Sequence, residues 1–333
     1  MIGAWLTNII SFPGFGIDGF ELDPVAFRIP LFWTDGKSHP IMWYGIIITL
    51  AMIVGFAVAY RKSKYEGIKS DHVFDLAIFL IIAAIAGARL YYVIMKPETF
   101  KSFYDVIAIW NGGLAIYGGV IAGAATILIF SKVKKIKTAK VLDIAAPGLI
   151  IGQAIGRWGN FFNAEAYGSV TDLPWRMGII KDGVGVMQYY HPTFLYESLW
   201  NVLGFVLIMC FYKKKKYDGA PTLWYLTWYG FGRFFIEGLR TDSLYLLEGV
   251  LGQTVRVSQL VAALCFIGGA IALIVLGRRA KQARLDAEEY ESVYSEKAEV
   301  IDEPAYEIKK GELQVKAEPE AEAEGKAAET SEE

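Results

Sequence analysis

The chain has 333 residues, of which 54% are hydrophobic, 14% aromatic and only 20% charged, and its mean hydropathy is positive. That apolar share exceeds ordinary soluble usage and argues against a disordered chain or a basic nucleic-acid binder. Two cysteines, Cys210 and Cys265, both lie in apolar runs, so no disulfide framework is implied. The formal charge of −2 hides an asymmetry: residues 286–333 hold seventeen acidic and five basic residues, a net of −12, which leaves +10 on the first 285.

Residues 1–16 are rich in aromatic and apolar side chains and lack the basic start of a signal peptide, so they read as a surface segment lying in a membrane interface. Seven stretches then approach the roughly 20 residues that a bilayer demands: 40–60, 73–95, 106–130, 141–156, 192–212, 220–238 and 257–277. The first and last are nearly free of charge. The third carries Gly112, Gly113, Gly118, Gly119 and Gly123, a composition suited to close helix packing or an unwound turn. The fourth is short and contains Pro147, which predicts a kinked or partly re-entrant segment. The expected fold class is all-α: a polytopic integral membrane protein of about seven transmembrane helices.

Loop charge orients this bundle. Arg61, Lys62, Lys64 and Lys69 follow the first span; Lys132, Lys134, Lys135, Lys137 and Lys140 follow the third; Lys213 to Lys216 follow the fifth; Arg278, Arg279, Lys281 and Arg284 follow the last. The alternate connections are acidic or sparsely charged. Basic loops stay cytoplasmic, so the N-terminus is expected outside and the C-terminus inside. Residues 1–285 then form the membrane domain, 157–190 an extracytoplasmic loop region, and 286–333 an acidic tail. The tail has little apolar content after Val315 and is expected to be disordered beyond a short helical continuation.

With that topology, polar residues gather at one leaflet from helices running in both directions. Tyr44 opens span one and Arg89 lies in the outer third of span two; Arg157 and Asn160 close span four; His191 and Glu197 open span five; Arg233 and Glu237 close span six. Charge inside a membrane is costly and usually functional. Duller readings exist for each member. Arg233 and Glu237, four apart, fit a plain helical ion pair. Arg89 fits a snorkelling cation. Tyr44, Tyr167 and Tyr196 fit an interfacial aromatic belt. Asp75 and Asp143 sit near cytoplasmic span starts, where carboxylates meet helix N-termini favourably. His39, His72 and His191 share no helical turn and have no cysteine beside them, so no metal site is expected. No cofactor is implied either.

The densest stretch is Gly156-Arg157-Trp158-Gly159-Asn160-Phe161-Phe162-Asn163-Ala164-Glu165-Ala166-Tyr167-Gly168. It closely resembles the signature of the prolipoprotein diacylglyceryl transferase family. Similar correspondences run in order through residues 42–45 (Met-Trp-Tyr-Gly), 111–119, 191–197 (His-Pro-Thr-Phe-Leu-Tyr-Glu) and 229–237, followed by Arg240 and Asp242. The resemblance spans about residues 20 to 280. It implies transfer of a diacylglyceryl group from phosphatidylglycerol to the lipobox cysteine of a lipoprotein precursor, in a bacterial plasma membrane, with both substrates met at the outer leaflet. It marks Arg157, Asn160, Glu165, Gly168, Arg233 and Glu237 as important positions. Many family members have histidine where this chain has Tyr117, and that histidine is given a catalytic role in the family.

The chemistry that the resemblance implies explains why such residues would be needed. A cysteine with a reference pKa of about 8.5 is mostly protonated at neutral pH, so nearby positive charge or a base assists its thiolate. A departing phosphate is best held by arginine. Arg157 and Arg233 are therefore the expected phosphate cations, with Arg240 a third nearer water. Glu165 and Glu237 are expected to orient them, and Asn160 and Asn163 to donate hydrogen bonds to phosphate or glycerol oxygens. His191, Glu197 and Gly168 complete the expected substrate contacts. Tyr44, Tyr117 and Glu237 all remain contenders for the base; a phenol, with a reference pKa of about 10, is a weak one. A transporter would also use buried charge, but near the midplane and open to both sides.

Overall fold

The computed structural model describes residues 7–30, 38–241, 245–247, 255–300, 306–309 and 312–315. The chain divides into two units, residues 1–277 and 278–333.

The first unit is mostly helical. Its helices are α1 (Trp43–Tyr65), α2 (Ser70–Met95), the short α3 (Phe103–Ile107), α4 (Ile116–Val133), α5 (Thr138–Phe162), α6 (Thr193–Phe211), α7 (Ala220–Leu239) and the start of α8 (Val257–Val300). Among the described residues six helical stretches are long and apolar enough to cross a membrane: Trp43–Tyr65, Ser70–Met95, Ile116–Val133, Thr138–Phe162, Thr193–Lys214 and Val257–Glu288. The seventh expected span, α7, is a helix of 20 residues, yet it is not among them. Its length is given over partly to Gly230, Gly232, Arg233, Glu237 and Gly238. Helices α1 and α5 pack along one another, as do α2 and α4, while α6 and α7 close against α5.

The third span is unwound at its glycines, one of the two forms its composition suggested, while the fourth departs from expectation. The segment 106–130 is not one helix: α3 ends at Ile107, a single 3-10 turn covers Ile109–Asn111, and α4 begins only at Ile116. Gly112 and Gly113 take φ of +84° and +79°, conformations that disfavour a Cβ and so break the helix there. The segment 141–156, in contrast, is neither short nor re-entrant. Helix α5 runs 25 residues with Pro147 inside it.

Arg89 does not snorkel. It is 8% exposed and turns its guanidinium onto backbone carbonyls of the broken segment. Nε donates to Val106 O at 2.9 Å, Nη2 to Asp105 O at 2.6 Å, and Nη1 to Gly112 O and Gly113 O at 2.5 and 2.8 Å. Five planar N–H donors suit a curled chain whose carbonyls converge.

An all-α description is also incomplete. Strand β1 (Asn8–Phe12) pairs antiparallel with β2 (Ile17–Leu22) and with β5 (Met177–Ile180), which pairs with β6 (Gln188–Tyr190). The registers run Asn8↔Leu22, Ile9↔Ile180 and Met177↔Tyr190. Strands β3 (Val25–Pro30) and β4 (Ser38–Met42) form a hairpin that leads into α1, and a smaller pair joins β7 (Tyr245–Leu247) to β8 (Val255–Arg256). Residues 8–12, expected to lie in an interface, therefore build a sheet. Ile10, Leu22, Met177 and Ile179 from that sheet bury against Ala164 and Phe194, with Phe161, Phe162 and Tyr190 around them. The sheet thus caps the C-terminal end of α5 and the N-terminal end of α6.

At the opposite end of α5 lies a buried ionic node. Asp143, 0% exposed, accepts from Gly219 N (2.8 Å), Thr222 N (3.2 Å) and Thr222 Oγ1 (2.8 Å). It therefore serves the N-terminus of α7 rather than that of its own helix. Lys215 Nζ reaches Glu66 at 2.8 Å, Asp143 at 3.0 Å and Asp218 at 3.4 Å. Burial alone would lower the Lys215 pKa, but the carboxylates of Glu66 and Asp143 outweigh it and hold the ammonium above its ordinary range. Asp75, the other acidic residue at a span start, pairs with Lys134 at 3.0 Å.

In the second unit α8 continues to Val300, with Arg284 Nε 2.7 Å from Glu288. Tyr306–Lys309 (β9) then pairs antiparallel with Glu312–Val315 (β10).

Candidate active site

The site grows from helix ends. Helix α5 brings Arg157 toward the sheet-capped end; α6 starts there with Glu197 in its second turn; α7 arrives with Arg233 and Glu237 in its last two turns. Two helices ending where a third begins is the antiparallel arrangement that lets one carboxylate meet two arginines.

Glu197 is that carboxylate. It is 2% exposed, and its Oε1 lies 2.6 Å from Arg157 Nη2 while its Oε2 lies 2.8 Å from Arg233 Nη1. Tyr229 donates its hydroxyl to the same Oε1 at 3.3 Å. A lone ionised carboxylate at this depth would be untenable; two charge-assisted bonds and a phenol compensate for the lost water. Arg233 Nη2 also pairs with Glu237 Oε2 at 2.5 Å, so the helical ion pair exists, but as one limb of a network. Arg256, at the start of the last helix, donates Nη1 to the Glu237 backbone carbonyl.

The signature loop completes one wall. Arg157 Nη1 donates to Asn160 Oδ1 at 3.2 Å; Asn160 Nδ2 and Asn163 Nδ2 both donate to Glu165 Oε1, at 2.9 and 3.4 Å. Ala164 and Ala166 adopt positive φ, +46° and +57°, which folds the loop back over the helix end. Thr193 Oγ1 fixes that fold by donating to Ala166 O at 2.5 Å. Gly168 lies where three segments converge. Its N–H donates to His191 O at 2.9 Å, and it bridges to Arg240 in antiparallel fashion. A Cβ there would stand 2.7 Å from His191 Cβ and 3.1 Å from Leu239 O, so any side chain would pry the loop from the ends of α6 and α7. Arg157, Asn160, Ala166, Glu197 and Arg240 line a narrow crevice at this end of the bundle.

His191 itself faces Tyr196, with Nδ1 and the hydroxyl 3.3 Å apart. Burial pulls its imidazole pKa below the ordinary value, so the neutral ring is favoured at neutral pH. Tyr44 reaches the signature by packing: a Cβ at Gly159 would stand 2.9 Å from its ring carbon Cδ2.

Direct contacts therefore join Arg157, Asn160, Asn163, Glu165, Glu197, Arg233 and Glu237, while backbone and packing contacts bring in Gly168, Arg240, His191 and Tyr44. Tyr117 is placed differently. Its hydroxyl meets Ser258 Oγ at 3.1 Å, on the helix whose neighbouring Gln259 donates to Phe234 O at 3.1 Å. Sequence reasoning had no role for Tyr229, Arg256 or Ser258. The signal for Tyr229 was present, because it stands four residues before Arg233 on the same helical face. Arg256 and Ser258 carry no local pattern that would single them out.

Comparison with known proteins adds independent weight. Residues 30–275 match the family model described as prolipoprotein diacylglyceryl transferase. A protein of Finegoldia magna is 48% identical over 252 residues, covering 75% of this chain and 94% of that relative. One from Clostridioides difficile is 43% identical over 261 residues, covering 78% and 98%. One from Streptococcus agalactiae is 44% identical over 263 residues, covering 78% and 97%. Each of the three is named phosphatidylglycerol–prolipoprotein diacylglyceryl transferase. The match takes in every site residue described above, from Tyr44 to Arg256, and the chain belongs to the prolipoprotein diacylglyceryl transferase family.

Proposed function

We propose that this protein transfers the diacylglyceryl group of phosphatidylglycerol to the lipobox cysteine of lipoprotein precursors, the first step of bacterial lipoprotein maturation. The observation that carries the reading is the shared carboxylate: Glu197 presents Arg157 and Arg233 from two helices side by side, in a chain whose relatives bear that activity in their names.

In the reaction the cysteine sulfur forms a bond to the glycerol carbon that carries the phosphodiester. The C–O bond at that carbon breaks, its electron pair stays with the phosphate oxygen, and glycerol phosphate departs. The thiol proton leaves to the phosphate or to water, so the balance needs no cofactor. Arg157 and Arg233 hold the phosphate and stabilise the charge that grows on it. Each guanidinium has five N–H donors, more than the two contacts described for each in the cluster. Glu197, Glu237, Glu165 and the two asparagines fix these planes in advance, so little reorganisation accompanies charge development. Tyr44 and His191 border the substrate, and Arg240 faces the phosphate from the water side.

The same reading assigns topology. Helix α7 crosses the membrane as a seventh span, because its 20 residues give about 30 Å of rise and its polar face is spent on α5 and α6. The N-terminus lies outside and the C-terminus in the cytoplasm, as the four basic loops favour, which puts the arginines at the outer leaflet of the plasma membrane.

The test is transfer in liposomes. Purified protein with phosphatidylglycerol and a lipobox peptide should yield a thioether-linked diacylglyceryl peptide and free glycerol phosphate. Absence of product with active-protein controls, or equal product from phosphatidylethanolamine alone, would overturn the assignment.

A further inference from the structure

Helices α5, α6 and α7 carry their polar side chains in two successive layers. The outer layer is Arg157, Glu197 and Tyr229, joined by the bonds to Glu197. One helical turn farther from the sheet-capped end stand Gln153, Asn201 and Tyr225: four residues before Arg157, four after Glu197 and four before Tyr229. The antiparallel run of α6 makes all three steps point the same way.

This inner layer is only partly bonded. Gln153 Nε2 donates to the Tyr225 hydroxyl at 3.0 Å. Among the described residues, Gln153 Oε1 has no partner, nor has Asn201 Nδ2 or Oδ1, although Asn201 is 0% exposed. Below it the helices close tightly. A Cβ at Gly204 would stand 2.6 Å from Ile150 Cδ1; level with the two layers, Trp200 and Trp228 exchange Nε1–H bonds to each other's carbonyls at 3.0 and 2.9 Å.

Buried amides normally find partners, and where protein supplies none an internal water with two to four contacts does so. The open groups here are two acceptor oxygens and an amide NH2 with two N–H donors. One water can donate to both oxygens and accept one of those N–H groups, and a second can accept the other. We propose that Gln153 and Asn201, with Tyr225 beside them, form an internal water-binding site one turn beneath Glu197. Asn201 is a positioning residue: the hydrated layer supports the buried Glu197 carboxylate and keeps it aligned between its two arginines. The water site itself does not rest on assigning phosphate to those arginines.

Water-edited solid-state NMR of the full chain in phosphatidylglycerol-containing bilayers tests this directly. Magnetisation from water should reach the side-chain amides of Asn201 and Gln153 about as fast as that of Asn160, while the backbone of Ile150 and Ile208 stays dark. No transfer to Asn201 would show a dry layer and end the proposal. A pair of variants gives an independent reading. In a wet layer Asn201→Asp inserts normally, whereas Asn201→Leu lowers kcat about tenfold with KM for lipid unchanged. In a dry layer the order reverses: the leucine variant behaves as the parent and the aspartate variant fails to insert. If the parent protein lacks transferase activity yet shows the NMR signal, the functional reading fails and the water site stands.

Discussion

Glu197 Oε1 lies 2.6 Å from Arg157 Nη2, and its other oxygen lies 2.8 Å from Arg233 Nη1; one carboxylate on α6 sets the spacing of two cations on α5 and α7. Glu197→Gln keeps the shape and removes the charge. Both guanidiniums then lose their shared counter-ion, and removing one partner of a buried pair costs about 3–5 kcal/mol. Transfer should fall by more than about tenfold, with a lowered melting temperature. Near-parental activity at matched abundance would mean that the arginines hold their positions without Glu197.

Arg157→Lys separates charge from geometry. Lysine keeps the positive charge but loses the planar fork that spans Glu197 and Asn160. We expect the lysine variant to be nearly as impaired as Arg157→Ala. Normal turnover of Arg157→Lys in the liposome assay would reduce Arg157 to a source of field.

Much of this cluster was legible in the sequence because its members sit in dense local runs. Arg157, Asn160, Asn163 and Glu165 fall within nine residues, and Arg233 and Glu237 within one helical turn. What a one-dimensional reading could not supply was which partner each would choose. Glu197 looked like an accessory contact because nothing in its neighbourhood announces two arginines from other helices. Arg89 looked like a snorkelling cation because its partners are backbone carbonyls, which no side-chain pattern records. Asp143 was expected to meet a helix N-terminus and does so, but sequence could not show that the helix is α7, whose Gly219 lies 76 residues away. The sheet escaped notice because its four short strands come from residues 8–22 and 177–190, too far apart for a local signal.

That remote cap yields a stability prediction. Asp143→Ala takes from Lys215 one of its three carboxylate partners and leaves the backbone N–H groups of Gly219 and Thr222 without their acceptor. The loss should be of the size of a broken buried pair, about 3–5 kcal/mol, read as a lower melting temperature and lower abundance. Because the node lies at the opposite end of α5 from Arg157, KM for lipid in the protein that folds should be unchanged. A shifted KM without a stability loss would show that the node communicates with the site.

The acidic tail is expected to be dispensable for chemistry. Truncation after Leu285 removes the end of α8 and the β9–β10 pair, all of it on the cytoplasmic side in the proposed topology, across the membrane from the arginines. Transfer should stay within a few-fold of full length. A truncated protein that inserts normally but has lost activity would give the tail a direct role.

Tyr117 remains the sharpest question, since the family often places histidine there. Its hydroxyl is engaged by Ser258 Oγ at 3.1 Å, and Ser258 neighbours Gln259, which reaches α7 at Phe234 O. The phenol therefore fastens the start of α4 to the start of α8, beside the helix that delivers Arg233. If it positions substrate through this link, Tyr117→Phe lowers transfer and leaves the shape of the pH–rate profile unchanged, and Ser258→Ala produces a similar loss. If the phenol is the base, Tyr117→Phe nearly abolishes transfer and removes a titrating limb, while Ser258→Ala alters the profile without copying that loss. We expect the first pattern, because the described partner of the hydroxyl is an uncharged serine. Equal activity of the phenylalanine variant at every pH would remove both roles and leave Tyr117 as packing between the two helices.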